Sequence, residues 1–170
     1  INALLDFVTK NKFAGVCIDF EEAPTQSQPN LLRLMQELYT AFHAKGLIVT
    51  QAVPFDDSDW DYPAYAAAND YLMLMAYDEH WSSSNAGPVA GQDWYETTLA
   101  KRLKELDPSK TIVAIGNYGY NWQAGDTEAD EVTFQEAMLS AQESADDKKI
   151  DALIHFDPVS RNPYFKYEED

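Results

Sequence analysis

Asp19 and Glu21 stand two residues apart at the end of the apolar run Phe13-Ala14-Gly15-Val16-Cys17-Ile18-Asp19-Phe20-Glu21. Residues two apart on a strand project to the same face, so both carboxyls are expected side by side at the strand's end. Like charges that close in a partly dry site cannot both ionise easily. One pKa is expected to rise, holding a carboxylic acid protonated near neutral pH. Such an acid can protonate the leaving oxygen of a glycosidic bond. Taken alone, the pair reads somewhat more readily as a solvated acidic strand end. Two aromatic clusters accompany it, Tyr77-Asp78-Glu79-His80-Trp81 and Tyr118-Gly119-Tyr120-Asn121-Trp122. Sugar rings offer apolar C–H faces to aromatic rings. Trp81, in a polar loop, is a subsite candidate, while Tyr118, Tyr120 and Trp122 are divided between ring stacking and packing at a rim. His80 reads more simply as hydrogen-bonded than as a ligand. His43 and His155 read as structural or exposed.

The elements that must hold these residues follow from periodicity. Residues 1–12 place Leu4, Leu5 and Val8 on one helical face, suited to packing on a sheet. Residues 13–20 suit a buried parallel strand. Residues 21–30 form a loop with Pro24 and Pro29. Residues 31–45 form a helix with Leu31, Met35, Leu38 and Phe42 in one stripe, stopped by Gly46. A strand over 47–53 ends at Pro54. A short helix over 59–68 takes Ser58 or Asp59 as its cap. A third strand covers 71–76, with Met73 and Met75 as core. A polar loop, 82–91, leads to a helix over 94–106 that Asp107-Pro108 breaks. A fourth strand covers 111–115, followed by an aromatic loop. Thr133 opens a helix with Phe134, Met138 and Ala141 on one face. Residues 152–156 form a last short strand, and the tail 161–170 shows no clear partner.

Strands alternating with helices predict a parallel sheet with helical crossovers. No Gly-x-Gly-x-x-Gly opens it, which argues against a doubly wound nucleotide binder. The candidate residues instead follow several different strands, where (β/α)8 barrels keep their active sites. A whole barrel needs roughly 250 residues. The 170 residues here are therefore expected to form a single partial domain, an incomplete (β/α)8 TIM barrel short of strands at both ends. Its apolar strand edges should pair with something, so self-association is expected.

Composition narrows the partners. The formal net charge of −17 repels phosphate backbones and anionic membranes, which argues against nucleic acid. Uncharged or amine-bearing polymers would be tolerated. The one cysteine, Cys17, permits no disulfide framework, and no Cys-His cluster suggests a metal or other cofactor site. It is expected to pack inside the barrel as a small apolar residue. No apolar run approaches the roughly 20 residues of a membrane span. The chain begins at Ile1, read here as a fragment or processed product.

The run Ala14-Gly15-Val16-Cys17-Ile18-Asp19-Phe20-Glu21 resembles the signature strand of family 18 glycoside hydrolases, Asp-Gly-x-Asp-x-Asp-x-Glu. The glycine, the aromatic spacer and the last two acids match; Ala14 and Cys17 replace the first two aspartates. Leu74-Met75-Ala76-Tyr77-Asp78 is similar to that family's Met-x-Tyr-Asp segment after the sixth strand. Ile115-Gly116-Asn117-Tyr118-Gly119-Tyr120-Asn121-Trp122 resembles its Gly-x-x-Tyr-Gly turn after the seventh. The run 77–81, with Gly87-Pro88-Val89-Ala90 and Trp94 after it, looks closest to the spore-lytic branch and to domains fused to polysaccharide deacetylase and glycosyltransferase modules. The resemblance implies barrel strands four to seven with part of an insertion.

It also implies substrate-assisted, retaining hydrolysis of β-linked N-acetylglucosamine glycans, chitin-like or peptidoglycan-type, without a cofactor or metal. Glu21 would be the acid, Asp19 would orient the acetamido N–H, and Tyr77 would aim the acetamido oxygen. Asp78 would contact the sugar. Trp81, Tyr118, Tyr120 and Trp122 would line subsites. An extracytoplasmic or cell-envelope setting for the parent goes with that substrate. Two other readings compete. One is a chitinase-like binding module, favoured by Ala14 and Cys17 and opposed by the presence of Glu21. The other is a piece inactive alone, because no counterpart is found for the tryptophan that the family's last strand supplies.

Overall fold

A computed structural model describes residues 1–21, 23–145 and 150–168. Its contacts fall into two compact units, Ile1–Met75 with Thr98–Ala114, and Ala76–Thr97 with Ile115–Asp170.

The first unit is an α/β layer. Helix α1 (Asn2–Lys10) leads to strand β1 (Gly15–Asp19), α2 (Gln28–His43), β2 (Ile48–Pro54), α3 (Tyr62–Ala67) and β3 (Tyr71–Met75). Helix α4 (Gln92–Glu105), whose later half belongs to this unit, precedes β4 (Thr111–Ala114). The strands form one parallel sheet in the order β1-β2-β3-β4. Sequential order without reversal is the pattern of a winding sheet whose crossovers share one side.

Register assigns the two faces. Val49, Gln51 and Val53 of β2 align with Ile18 of β1 and with Leu72 and Leu74 of β3. This face is the buried one, and Val49, Val53 and Leu74 are fully buried. The expected stripe of α2 is buried too: Leu31, Met35, Leu38 and Phe42 all lie in the core, and α2 contacts β2. Gly46 stops α2 with a φ of +69°, a left-handed conformation that suits glycine.

The opposite face carries Cys17, Ile48, Tyr71 and Ile112, all exposed among the described residues. Cys17 thus departs from the packed position expected of it. Its strand is an edge of the sheet, and it shares the open face with Gly15 and Asp19. Gly15 has a steric reason: a Cβ there would lie 1.9 Å from the Ile48 carbonyl oxygen, so β1 and β2 could not approach as they do.

The start of one helix and its cap differ from expectation. Helix α3 starts at Tyr62, and its cap is Asp61, whose Oδ1 accepts from the Ala64 amide at 3.1 Å. Pro63 in the first turn favours that later start. Asp59 serves elsewhere, accepting from the Thr25 hydroxyl. Buried Arg102 of α4 lies over the Tyr62 ring at 3.5 Å and donates from Nε to the Phe55 carbonyl at 2.8 Å.

The second unit holds the antiparallel hairpin β5 (Tyr118–Asn121) and β6 (Asp130–Thr133), then helix α5 (Phe134–Ser144). The hairpin replaces the expected aromatic loop. Thr133 caps α5 through a reciprocal pair with Glu136, which holds the Glu136 carboxyl below its usual value. Ala141 is buried on α5 as expected, whereas Phe134 is exposed.

The expected strand over 152–156 is only partly present. Ile150–Ala152 is a 3-10 turn, and β7 (His155–Phe156) pairs antiparallel with β8 (Pro163–Tyr164). Asp157 reverses the chain by accepting from the Val159 and Ser160 amides at 2.9 and 2.6 Å. The tail therefore has partners. Asn162 donates to the Ala90 carbonyl at 2.8 Å, and Asn121 donates to the Tyr167 hydroxyl at 2.9 Å. The tail's last residues, Glu169 and Asp170, lie outside the described residues. No helix among the described residues is long and apolar enough to cross a membrane.

Candidate active site

Within the first unit the acidic pair sits where β1 ends. Asp19 is the last strand residue, opposite Ala52 of β2. Glu21 lies two residues on, in a turn, so strand alternation no longer dictates its direction. Asp19, Phe20 and Glu21 all line one solvent-open cavity of about 710 Å³, together with Asn30, Leu31 and Leu34 from α2. Both acids are exposed. The cavity thus combines two carboxyls, an aromatic ring and an aliphatic wall, which suits an amphipathic ligand.

Within the second unit the aromatic residues gather on Asp78. Tyr118 and Tyr120 are two apart on β5 and present their hydroxyls to the same side. Both hydroxyls donate to Oδ1 of Asp78, at 2.5 and 3.0 Å. Burial, reinforced by the Asp78 carboxylate, pushes the Tyr118 phenol well above its ordinary value and the Tyr120 phenol to about 12. Both therefore remain donors, and Asp78 is a doubly held acceptor. Asp78 has a φ of +59°, which aims its side chain by an uncommon backbone conformation.

The rings form a ladder. Tyr77 meets Tyr118 edge-on at 6.0 Å, Tyr118 meets Tyr120 edge-on at 5.6 Å, and Tyr120 lies 5.4 Å from Trp122. Gly116 makes room for it: a Cβ there would come within 2.9 Å of both Tyr77 and Tyr118. Among the described residues, the Trp122 Nε1 is buried without a hydrogen-bond partner.

The loop over residues 78–91 is stapled to itself. Glu79 Oε2 accepts from the Gly91 amide at 2.7 Å, and the Glu79 amide donates to the Val89 carbonyl at 2.8 Å. His80 Nδ1 lies 3.0 Å from the Pro88 carbonyl, so this histidine holds the loop. Trp81 is left half-exposed, with Nε1 donating to the Ser83 hydroxyl at 3.0 Å. Sequence reasoning missed the Glu79 staple. An acid followed by a glycine-rich polar loop was the available signal, but its partner lies 12 residues away.

His43 is exposed as expected, with Nε2 at 2.8 Å from Asp70 and its ring stacked on Tyr39 at 3.9 Å. His155 is exposed on β7.

The sequence profile of Glycosyl hydrolases family 18 matches residues 1–170. The Bacillus subtilis protein YdhD, which carries the name of a sporulation-specific glycosylase, is 28% identical over 99% of this chain and 41% of its own. Its crystal structure superposes with a TM-score of 0.87 at 27% identity, covering 99% of this chain and 57% of that one. The cortical fragment-lytic enzyme of the same organism is 24% identical over 99% of this chain and 41% of its own. A chitinase structure from Chromobacterium violaceum gives a TM-score of 0.84 at 27% identity, over 98% of this chain and 53% of that one. The chain thus spans about half the length of the solved structures, and 41% of the two curated relatives.

Proposed function

Because the chain belongs to family 18 of the glycosyl hydrolases, we propose that the protein carrying it cleaves β-linked N-acetylglucosamine glycans with retention of configuration. The observation that carries the reading is that Asp19 and Glu21 both line one open cavity where β1 ends. Chitin-like and peptidoglycan-type polymers are the substrate class, in keeping with a chitinase and a cortical fragment-lytic enzyme among the relatives. Residues 1–170 contribute consecutive strands and helices of the barrel domain.

In this reading Glu21 protonates the glycosidic oxygen as the bond breaks. The substrate's own acetamido oxygen attacks the anomeric carbon and forms an oxazolinium ion, a departure from the usual two-carboxylate scheme. Asp19 accepts the acetamido N–H and stabilises the positive charge that develops there. Tyr77 donates to the acetamido oxygen and aims it. Water then opens the oxazolinium ion, with Glu21 taking its proton. Asp78 accepts from the sugar through Oδ2, since Oδ1 is taken by Tyr118 and Tyr120. Those two tyrosines therefore orient Asp78 more than they stack. Trp81 is the better platform for a sugar face because its indole is half-exposed. Trp122 borders the same cluster.

Glu21→Gln in the intact protein should lower the release of reducing ends from chitooligosaccharides and peptidoglycan by at least about a hundredfold. Wild-type rates in that variant would sink the assignment. The second reading, a binding module, draws on Ala14 and Cys17, which stand where the family pattern has aspartates. Calorimetry that detects oligosaccharide binding without any turnover would favour it.

A further inference from the structure

The loop that carries Glu21 is pinned from its far side by a buried amide. Gln28, the first residue of α2, is buried. Its Nε2 donates to the Ala23 carbonyl at 3.1 Å. Its Oε1 accepts from the Tyr65 hydroxyl at 2.6 Å, and the same hydroxyl lies 3.2 Å from the Gln28 carbonyl. A peptide carbonyl only accepts, so the amide nitrogen must face Ala23 and the amide oxygen must face the phenol. Tyr65 is itself buried, and its backbone carbonyl accepts from Asn69 Nδ2 at 2.9 Å. Asn69 Nδ2 also reaches Gln51 Oε1 at 3.2 Å, on the buried face of β2. A polar chain, meeting the backbone carbonyl of Tyr65 at one end and its hydroxyl at the other, thus links the sheet to a carbonyl two residues past Glu21. Burial, with Asp61 as the smaller cause, pushes the Tyr65 phenol up to about 12, so it stays a donor.

The polar chain satisfies buried polar groups, as any such pairing would. Its end point is what distinguishes it. Ala23 lines the same cavity as Asp19 and Glu21. Proton delivery needs a heavy-atom separation of about 2.6–3.2 Å, and a misplacement of about 1 Å costs on the order of a hundredfold in rate.

We propose that Gln28 and Tyr65 are positioning residues for the acid step, holding the stem of the Glu21 loop through the Ala23 carbonyl. The inference rests on Glu21 being the general acid. Both residues act through the loop and not on the sugar.

A misplaced acid shows itself as leaving-group dependence. A sugar alkoxide must be protonated as it leaves, whereas an acidic phenolate need not be. Tyr65→Phe and Gln28→Met are compared with the unmodified intact protein on a chitooligosaccharide and on the dinitrophenyl glycoside of the same sugar. In each variant the ratio of kcat/KM on the oligosaccharide to kcat/KM on the dinitrophenyl glycoside should fall roughly tenfold to a hundredfold, since kcat/KM reads only the steps up to departure of the leaving group, with KM for the oligosaccharide within about twofold. Because both rates come from one preparation, partial unfolding cancels in the ratio. If Glu21→Gln lowers the ratio but any one of these variants leaves it unchanged, the positioning role is overturned alone. If Glu21→Gln leaves it unchanged, the acid assignment falls and takes this inference with it.

Discussion

Two phenolic hydrogens converge on one oxygen of Asp78, and the charge makes each bond stronger than a neutral one. A hydrogen bond to a charged group contributes about 1.5–3 kcal/mol. Tyr118→Phe and Tyr120→Phe should therefore each lower kcat/KM by up to roughly tenfold, and the double variant should lose more than the product of the two, because either hydroxyl alone still directs Oδ1. Steady-state kinetics on chitooligosaccharides decides it; unchanged kcat/KM in the double variant would overturn the sugar contact proposed for Asp78. Asp78→Asn is the informative companion, because Asn tolerates the +59° φ that Asp78 adopts. The aromatic residues were legible as a group from their types. Their division of labour was not, because nothing local in Tyr118-Gly119-Tyr120 points to a carboxylate 40 residues earlier.

At the scale of elements, helix stripes and parallel strands were legible because their periods are local. The stripe Leu31, Met35, Leu38 and Phe42 is wholly buried, as the spacing requires. Phe42→Ala should cost about 3–5 kcal/mol by leaving a cavity, read from a denaturant melt. Gly15→Ala should be disproportionately harmful for so small a change. Its methyl carbon would sit 1.9 Å from the Ile48 carbonyl, and β1 would have to move away from β2. Overpacking of this kind costs about 1–3 kcal/mol. Because β1 carries Asp19 at its end, activity should fall along with the melting temperature. A variant as stable and active as the parent would show that the strands tolerate the shift. The β5–β6 hairpin was missed, since its partner strand follows a polar stretch and pairing is decided across it. The cap of α3 was misplaced because Ser58, Asp59 and Asp61 are all good caps, and only the fold chose Asp61.

For the molecule as a whole, three carboxyls report on acid stability. Asp107, Glu136 and Asp157 are each held below their ordinary values by hydrogen bonds from nearby backbone amides and hydroxyls, led by Ser109, Thr133 and Ser160. A depressed folded pKa means the contribution is complete above the ordinary range of about 4 and is lost as pH falls through the folded value. Asp157→Asn should thus be less stable than the unmodified protein at neutral pH, and the difference should close in acid. A gap that persists at low pH would place the effect elsewhere. The open sheet face with Ile48, Tyr71 and Ile112, beside the edge strand β1, should drive self-association of the isolated chain; a clean monomer by light scattering at high concentration would refute that. By itself the sequence determined the order of strands and helices in the first unit, the acidic pair at a strand end, and three motifs of one family, all carried by residues close together in the chain. Only the tertiary structure decided that Cys17 is exposed, that the tail pairs back, that Asp78 is gripped by two tyrosines, and that Gln28 is held by Tyr65. Apart from Cys17, whose exposure depends on what covers its sheet face, each of those joins residues whose separation along the chain no periodicity spans, so packing alone could choose the partners.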